Sequence, residues 1–315
     1  MKKRKKQVVD FTNAALSGFA IAAVITCIAL APACRTEAQQ KAAPVEMRQV
    51  TDGLGRTVTV PVKITRAVSL APSLTENIFA VGAGDRLVGV TSYCNYPEQA
   101  KLIQKVGDTI SPNLEMIVAL KPDVVFVSTA SQIEAFKNTL EQNGIAVYVT
   151  NPATIDGVLT DLQRLGDLFG TMDKTSVLLN DLQGRLQEIS QNVEGEKQIP
   201  VFIQISKEPL FTIGKESFMT AIVERAGGRS VTADVETAYP KLSKETALAL
   251  NPDAIVLSAS EDDLEPNEAF KNSPAVRNHK VFSVDADLLS RPGPRLIDAL
   301  ELIACDLHPE KFTKQ

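Results

Sequence analysis

A fourteen-residue segment occurs once in each half of this chain, and two copies of one unit constrain the fold more than any other feature. Glu115–Ser128 reads EMIVALKPDVVFVS and Glu245–Ser258 reads ETALALNPDAIVLS. A shift of 130 positions superimposes Glu115 on Glu245, Leu120 on Leu250, Pro122 on Pro252, Asp123 on Asp253 and Ser128 on Ser258. Each copy parses as a short helix opened by a carboxylate, a Pro-Asp break, and a β-branched run of strand type. Two copies of one supersecondary unit predict two similar α/β lobes with parallel sheets, and two lobes predict a cleft between them.

The amino end stands apart from this pattern. Lys2, Lys3, Arg4, Lys5 and Lys6 precede an apolar, Ala-rich stretch over Ala14–Ala33, the arrangement of an export signal over residues 1–33. A membrane anchor is the alternative, since roughly 20 apolar residues can cross a bilayer, but the Ala31-Pro32-Ala33 ending favours cleavage. Export places the rest of the chain in the periplasm or cell envelope. Cys34 follows directly and is the candidate lipid-attachment point, through which the protein would be tethered to the membrane. Leu30–Cys34 departs from a regular lipobox at Ala31 and Pro32, so lipidation and plain cleavage both stay open. Residues 35–49, rich in Ala, Gln and charge, read as a flexible tether.

The whole chain carries a net charge of −5, and removing a leader with five cations and one anion leaves about −9. Such acidity, without any basic patch interleaved with aromatics, excludes a nucleic-acid partner. Of the four Cys, Cys27 lies in the leader and Cys34 at its end, which leaves Cys94 and Cys305. An oxidising compartment permits them to pair, while the absence of CxxC spacing removes support for a zinc or redox site.

Asp52–Val60 reads as a small hairpin that completes a segment 34–62 of tether and hairpin. The N-terminal lobe, 63–171, begins with a strand at Ala67–Leu70 and a helix capped by Ser73 or Thr75 that runs through Ala80. Gly82 and Gly84 end that helix before a strand at Leu87–Val90, and the first repeat copy follows. A helix near Ile133–Asn143 stopped by Gly144, a strand at Ala146–Thr150 and a helix over Ile155–Phe169 ended by Gly170 complete the lobe. Met172–Val193 is a second helical stretch, ~33 Å long at 1.5 Å per residue. Its place between the two repeats makes residues 172–195 a connector between lobes rather than a surface helix of one of them. The C-terminal lobe, 196–315, opens with a strand at Val201–Ile205 and a helix over Phe218–Ala226. The second repeat copy, an acidic loop at Glu261–Glu268, a strand at Lys280–Val284 and a helix over Leu296–Leu307 follow.

Catalytic machinery is nearly absent from the sequence. GxSxG, HExxH and Walker motifs do not occur, and Gly82-Ala-Gly84 lacks the third glycine of a dinucleotide loop. His279 reads as the start of an edge strand and His308 as part of a frayed C-terminus. Neither enzyme activity nor a bound metal or cofactor is therefore expected. Glu115 and Glu245 each fall in the first turn of a helix, behind Asn113 and Ser243 as caps, where a carboxylate gains roughly 0.3–1 kcal/mol from the helix dipole. That gain could explain each glutamate by itself, but explains less well why both copies keep Glu at the same repeat position. As two exposed anions at equivalent places they also suit docking onto two basic pockets of a symmetric partner. Tyr93, Tyr96, Phe211 and Tyr239 sit in loops next to strand ends, where open parallel sheets present ligands, and Arg291 in the turn RPGPR offers a rigidly held donor.

AVSLAPSLTENIFAVGAGDRLVGVTSYCNYP, NLEMIVALKPDVVFV, PLFTIGKESFMTAIVERAGG and YPKLSKETALALNPDAIV together resemble the vitamin B12-binding proteins of ABC importers. These belong to the wider helical-backbone (class III) solute-binding proteins for corrinoids, haem and iron-siderophores. The resemblance spans about residues 64–308. It implies a monomer of two α/β lobes joined by one long helix, with little hinge motion and a ligand clamped in the cleft. It also implies one glutamate per lobe that pairs with arginines of the permease dimer, and Glu115 and Glu245 stand at those positions. Family pocket positions carry over to Tyr93, Phe211, Tyr239 and Arg291. Thr109 and Ser128 stand where corrinoid-binding relatives place aromatics, Tyr239 replaces a third, and Ala226 stands opposite Cys305 where a lobe disulfide would lie. The implied cargo is a corrinoid, with haem or a ferric siderophore as the alternative, and an envelope hydrolase or a ligand-free adaptor as the readings outside transport.

Overall fold

The computed structural model describes residues 45–129, 133–259 and 264–312. The leader, Cys34, residues 35–44 of the tether and residues 261–263 of the acidic loop lie outside the described residues. From Val45 onward the chain forms one unit. It starts with an antiparallel hairpin of β1 (Met47–Thr51) and β2 (Thr57–Pro61), so residues 47–49 are strand rather than tether and the hairpin begins ahead of Asp52. The hairpin docks on the first lobe through the Gly53 N–H, which donates to the Val149 carbonyl at 2.7 Å. A Cβ on Gly53 would lie 2.8 Å from the Asn151 nitrogen, so the approach requires glycine.

The N-terminal lobe comprises β3 (Ala67–Ser69), α1 (Pro72–Ala80), β4 (Leu87–Val90), α2 (Leu114–Ala119), β5 (Val124–Ser128), α3 (Ile133–Gln142), β6 (Ala146–Thr150) and α4 (Ile155–Phe169). Then α5 (Met172–Val193) leads into the second lobe of β7 (Ile199–Gln204), α6 (Phe218–Arg225), β8 (Gly228–Ser230), α7 (Lys244–Leu250), β9 (Ala254–Ala259), α8 (Pro274–Arg277), β10 (Val281–Asp285), α9 (Ala286–Ser290) and α10 (Leu296–Leu307). Both sheets are parallel and four-stranded, with orders β4-β3-β5-β6 and β8-β7-β9-β10. The order is the same when the lobes are aligned on the repeat, so the duplicated segment supplies the third strand of each sheet.

The repeat extends to backbone detail. The caps act as expected: the Asn113 side chain accepts from the Met116 N–H, and Ser243 accepts from the Thr246 N–H. Lys121 and Asn251, also 130 positions apart, both leave their helices in the left-handed region at φ 48° and 45°. The Asp123 N–H then donates to the Arg66 carbonyl at 2.8 Å and the Asp253 N–H to the Pro200 carbonyl at 2.9 Å. The strands that follow are near-continuous buried runs, as sheets covered on both faces demand.

One cluster of buried apolar side chains runs from Phe126, Tyr148 and Leu162 of the first lobe to Val201, Ile203 and Leu300 of the second. Each lobe adds a smaller cluster of its own, around Val125 and Val147 in the first and around Phe202 and Phe270 in the second. The connector α5 buries Thr175, Leu182 and Ile189 against this shared core, packing on α4 from one lobe and α10 from the other.

Several local expectations are corrected. Neither Ser73 nor Thr75 caps α1: Pro72 occupies its first turn and Ala71 its N-cap, so both hydroxyls fall inside the helix. The Thr75 hydroxyl instead bonds Ser69 Oγ at 2.9 Å in the core. His308 is not frayed but 3% exposed, with Nε2 3.2 Å from the Gly227 carbonyl at the end of α10. The edge strand β8 and the short α8 and α9 add to the expected elements; α8 and α9 start behind the side-chain caps Ser273 and Asp285, and α8 carries Pro274 at its first position. Cys94 and Cys305 are both free thiols.

Asp161 on α4 is 4% exposed, and its Oδ2 makes no hydrogen bond among the described residues. Burial raises its carboxyl from an ordinary 3.8 to about 6, against the opposing pull of Arg164. The folded protein therefore holds a proton that the unfolded chain gives up. The associated stability is complete below about pH 4 and is lost as pH rises to about 6, a change of about 3 kcal/mol. Urea melts of the parent and of Asp161→Asn at pH 3.5 and pH 7 should show the parent losing about that much relative to the variant. Parallel profiles would contradict it.

Candidate functional site

The carboxyl ends of both sheets face a shared cavity of about 550 Å³. The first lobe contributes the start of α1, the loops after β4, and the residues at the ends of β5 and β6. The second contributes the start of α6, the loop after β8, and α9 with the turn that follows it. This is the crevice in which open parallel sheets hold ligands.

Tyr93 lies on the first wall and is 62% exposed. Its neighbour Cys94 is buried, with Sγ 3.1 Å from the hydroxyls of both Thr75 and Thr91. Lys105 Nζ ties the same loop by donating to the carbonyls of Cys94 and Ala100, each at 3.0 Å. A pinned, buried residue thus pushes its neighbour's ring outward. Tyr239, 47% exposed, stands on the second wall. Its loop is held by Gly214 N–H to the Ala238 carbonyl at 2.9 Å and by Thr212 N–H to the Pro240 carbonyl at 3.1 Å. A Cβ on Gly214 would fall 2.0 Å from the Thr237 oxygen, so a side chain there displaces the loop that carries Tyr239.

Between the tyrosines the lining is rich in neutral polar groups, including Ser73, Thr109, Ser128, Thr150, Asn151 and Ser290. Thr109 and Ser128 both face the cavity. Asn151 and Asp287 also line it, beyond the residues to which the sequence motifs point. Both directly follow the end of a strand or begin the helix after one, a signal that a strand-end search would have caught.

Arg291 lines the cavity but is not a free donor. Nη1 lies 2.7 Å from Glu76 Oε1 and 2.7 Å from Asn95 Oδ1, and Nη2 lies 2.6 Å from Asp287 Oδ2. Arg295 grips the same Glu76 through both carboxylate oxygens, at 2.6 and 2.8 Å. Glu76 belongs to α1 of the first lobe, and its side chain is 2% exposed. The cluster therefore ties the two lobes together behind the cavity wall. Asn77 Nδ2 adds a bond to the Pro292 carbonyl at 3.2 Å.

Two of the sequence-derived ligand positions lie apart from this cavity. Tyr96, joined to Pro97 by a cis peptide, lines a separate cavity of about 360 Å³ with Phe79 and Pro294, and Arg295 stacks 4.0 Å from its ring centroid. Phe211 is half-buried on the turn after β7, where its N–H donates to the Ser206 carbonyl at 3.1 Å, and it does not line the cavity. Glu115 and Glu245 are exposed in the first turns of α2 and α7. The Glu245 carboxyl is lowered by its own backbone N–H and by the Ser243 hydroxyl. One group with metal-ligand proximity occurs among the described residues, Glu196, His308 and Glu310. It lies outside the cavity, and Lys311 already neutralises Glu196 at 2.5 Å.

Two like-ordered α/β lobes on one helical connector, with a cavity at the carboxyl ends of both sheets, define a solute-binding architecture. The chain belongs to the periplasmic binding protein family, whose profile matches residues 68–288. It is 31% identical over 307 residues to an uncharacterized ABC transporter substrate-binding lipoprotein of Bacillus subtilis, covering 92% of this chain and 97% of that one. It is 30% identical over 247 residues to a vitamin B12-binding protein of Vibrio cholerae, covering 77% of this chain and 89% of that one. The crystal structure of the periplasmic vitamin B12 binding protein BtuF of Vibrio cholerae superimposes with a TM-score of 0.70 at 29% identity, over 80% of this chain and all of that one. The family and these relatives are named for binding, not for catalysis.

Proposed function

We propose that this protein captures a corrinoid in the cavity between its lobes and presents it to an ABC importer of the cell envelope. The observation that carries this reading is the pair of outward-held tyrosines, Tyr93 and Tyr239, one from each lobe, facing a cavity whose lining is rich in neutral hydroxyl and amide groups and whose one cation among the described residues, Arg291, is ion-paired. Two aromatic faces suit a large flat macrocycle. Neutral hydrogen-bonding groups suit a cargo fringed with carboxamides.

Delivery needs no chemistry on the cargo. Glu115 and Glu245 are the proposed contacts to the two permease subunits, and Cys34 is the proposed lipid anchor that keeps a monomeric carrier near its transporter. Haem or a ferric siderophore is the second reading, favoured by the same two phenols, since tyrosinate is a known axial ligand of haem iron.

Calorimetric titration of the exported protein with cyanocobalamin, with haemin and a ferric siderophore as comparators, tests this. One-to-one cobalamin binding at micromolar affinity or tighter, about −8 kcal/mol or more, is the expected result. Heat only from a comparator would keep the transport role and replace the cargo.

A further inference from the structure

We infer that Glu76, which does not line the cavity, sets the charge selectivity of the cleft by neutralising Arg291 from behind. Among the described residues that line the cavity, Arg291 is the sole cation and Asp287 the sole carboxylate. Arg291 and Arg295 together carry two positive charges, and Glu76 and Asp287 carry two negative ones, all joined by contacts of 2.6–2.8 Å. The cluster is electrically closed. The Arg291 side chain is 11% exposed, and its Nη1 already donates to both Glu76 and Asn95.

An anionic cargo entering this cavity loses hydration and meets no uncompensated cation in return, which is costly for a charged group. A neutral cargo with carboxamide edges meets hydroxyls and Asn151 instead, and each exchanged hydrogen bond is roughly balanced. Glu76 is therefore a positioning residue for specificity: it acts on the cargo only through the guanidinium it holds. Its partners sit 215 and 219 positions away in the chain, so the pairing is a product of the fold alone. The inference rests on the corrinoid reading for its natural cargo but not for its test.

The test compares cyanocobalamin with its monocarboxylic acid, in which one side-chain amide has become a carboxylate, and uses haemin as an unrelated dianion. The parent should prefer the amide form. Glu76→Gln should bring the acid's dissociation constant at least tenfold closer to that of cyanocobalamin, and tighten haemin at least tenfold. Asp287→Asn should move both in the same direction while leaving the buried Glu76–Arg295 contacts in place, so it carries the test if the first variant does not fold. The gain should shrink with added salt, as screening of a newly freed cation requires, and Arg291→Gln added to either variant should erase it. A merely structural role for Glu76 predicts losses for both forms and no new salt dependence. The inference is overturned if Asp287→Asn and any folded Glu76→Gln discriminate as the parent does, or if the parent itself binds haemin tightly in a salt-sensitive way. Should the parent bind neither corrinoid, the cargo proposal fails, and the haemin arm alone still decides the role of Glu76.

Discussion

Exchanging Glu115 and Glu245 together for arginine should abolish cobalamin uptake by cells while changing the affinity of the isolated protein less than about twofold. On the proposed docking role, the two carboxylates meet basic pockets on the two halves of the permease, and reversal puts like charge against like at both contacts. Juxtaposed like charges at an interface cost several kcal/mol, enough to remove docking at ordinary envelope concentrations. The fold should survive, because both side chains are exposed and only the helix-dipole contribution of roughly 0.3–1 kcal/mol each is forfeited. Neither residue lines the cavity, so binding in solution has no reason to change. Uptake of labelled cyanocobalamin in a strain lacking the native carrier, beside calorimetry on the purified variant, separates the two effects. Uptake at the parent's rate would remove the docking role. Loss of affinity together with uptake would mean that the variant is damaged rather than undocked.

Phe126→Ala should cost about 3–5 kcal/mol of stability, the range for removing a buried aromatic ring. Phe126 is fully buried at the centre of β5, in register with Ser69 of β3 and Tyr148 of β6. Its ring sits 5.6 Å from that of Tyr148 and 5.5 Å from that of Phe169, joining the sheet to α4. The void opens in the cluster shared by both lobes. The damage is therefore expected to appear as one lowered cooperative transition in urea rather than as melting of one lobe alone. Tyr93→Ala makes the contrast: its side chain is largely exposed, and a surface change of this kind is ordinarily worth less than about 0.5 kcal/mol. A Phe126→Ala variant within 1 kcal/mol of the parent would show that the core refills around the gap.

Much of this architecture could be read from the chain because its signals are local. The helices of the first lobe's end and the connector carry amphipathic spacing and a glycine stop at Gly170, and their observed limits are the expected ones. The caps at Asn113 and Ser243 were legible because each precedes a helix whose first residue has no competing start signal. At α1 the competing signal was Pro72, whose fixed φ and missing N–H suit the first helical turn and move the start ahead of Ser73. The strand β8 is three residues, Gly228–Ser230, held as a sheet edge by pairing with β7 rather than by its own composition.

The site divides along the same line. Tyr93 and Tyr239 face the cavity because residues beside them are anchored, and strand-end position already pointed to both. Arg291 was identified as a cavity residue, but its partners were beyond sequence reasoning, since nothing near Glu76 marks it as anything but a polar residue on a helix. The placement of Tyr96 against Arg295, rather than in the cleft, has the same origin. A stacking partner 199 positions away is set by how the lobes close on each other.

The strut of α5, the shared core and the ion-paired wall have a consequence for traffic at the membrane. On the proposed transport role, bracing of this kind predicts the same outer face in full and empty carriers. Empty carriers would then compete with loaded ones for every transporter, and occupancy would be reported by the cargo itself at the mouth of the cleft rather than by a change in the carrier's shape. Throughput would depend on the ratio of carriers to transporters as much as on affinity, and an excess of empty carrier would act as an inhibitor of its own pathway.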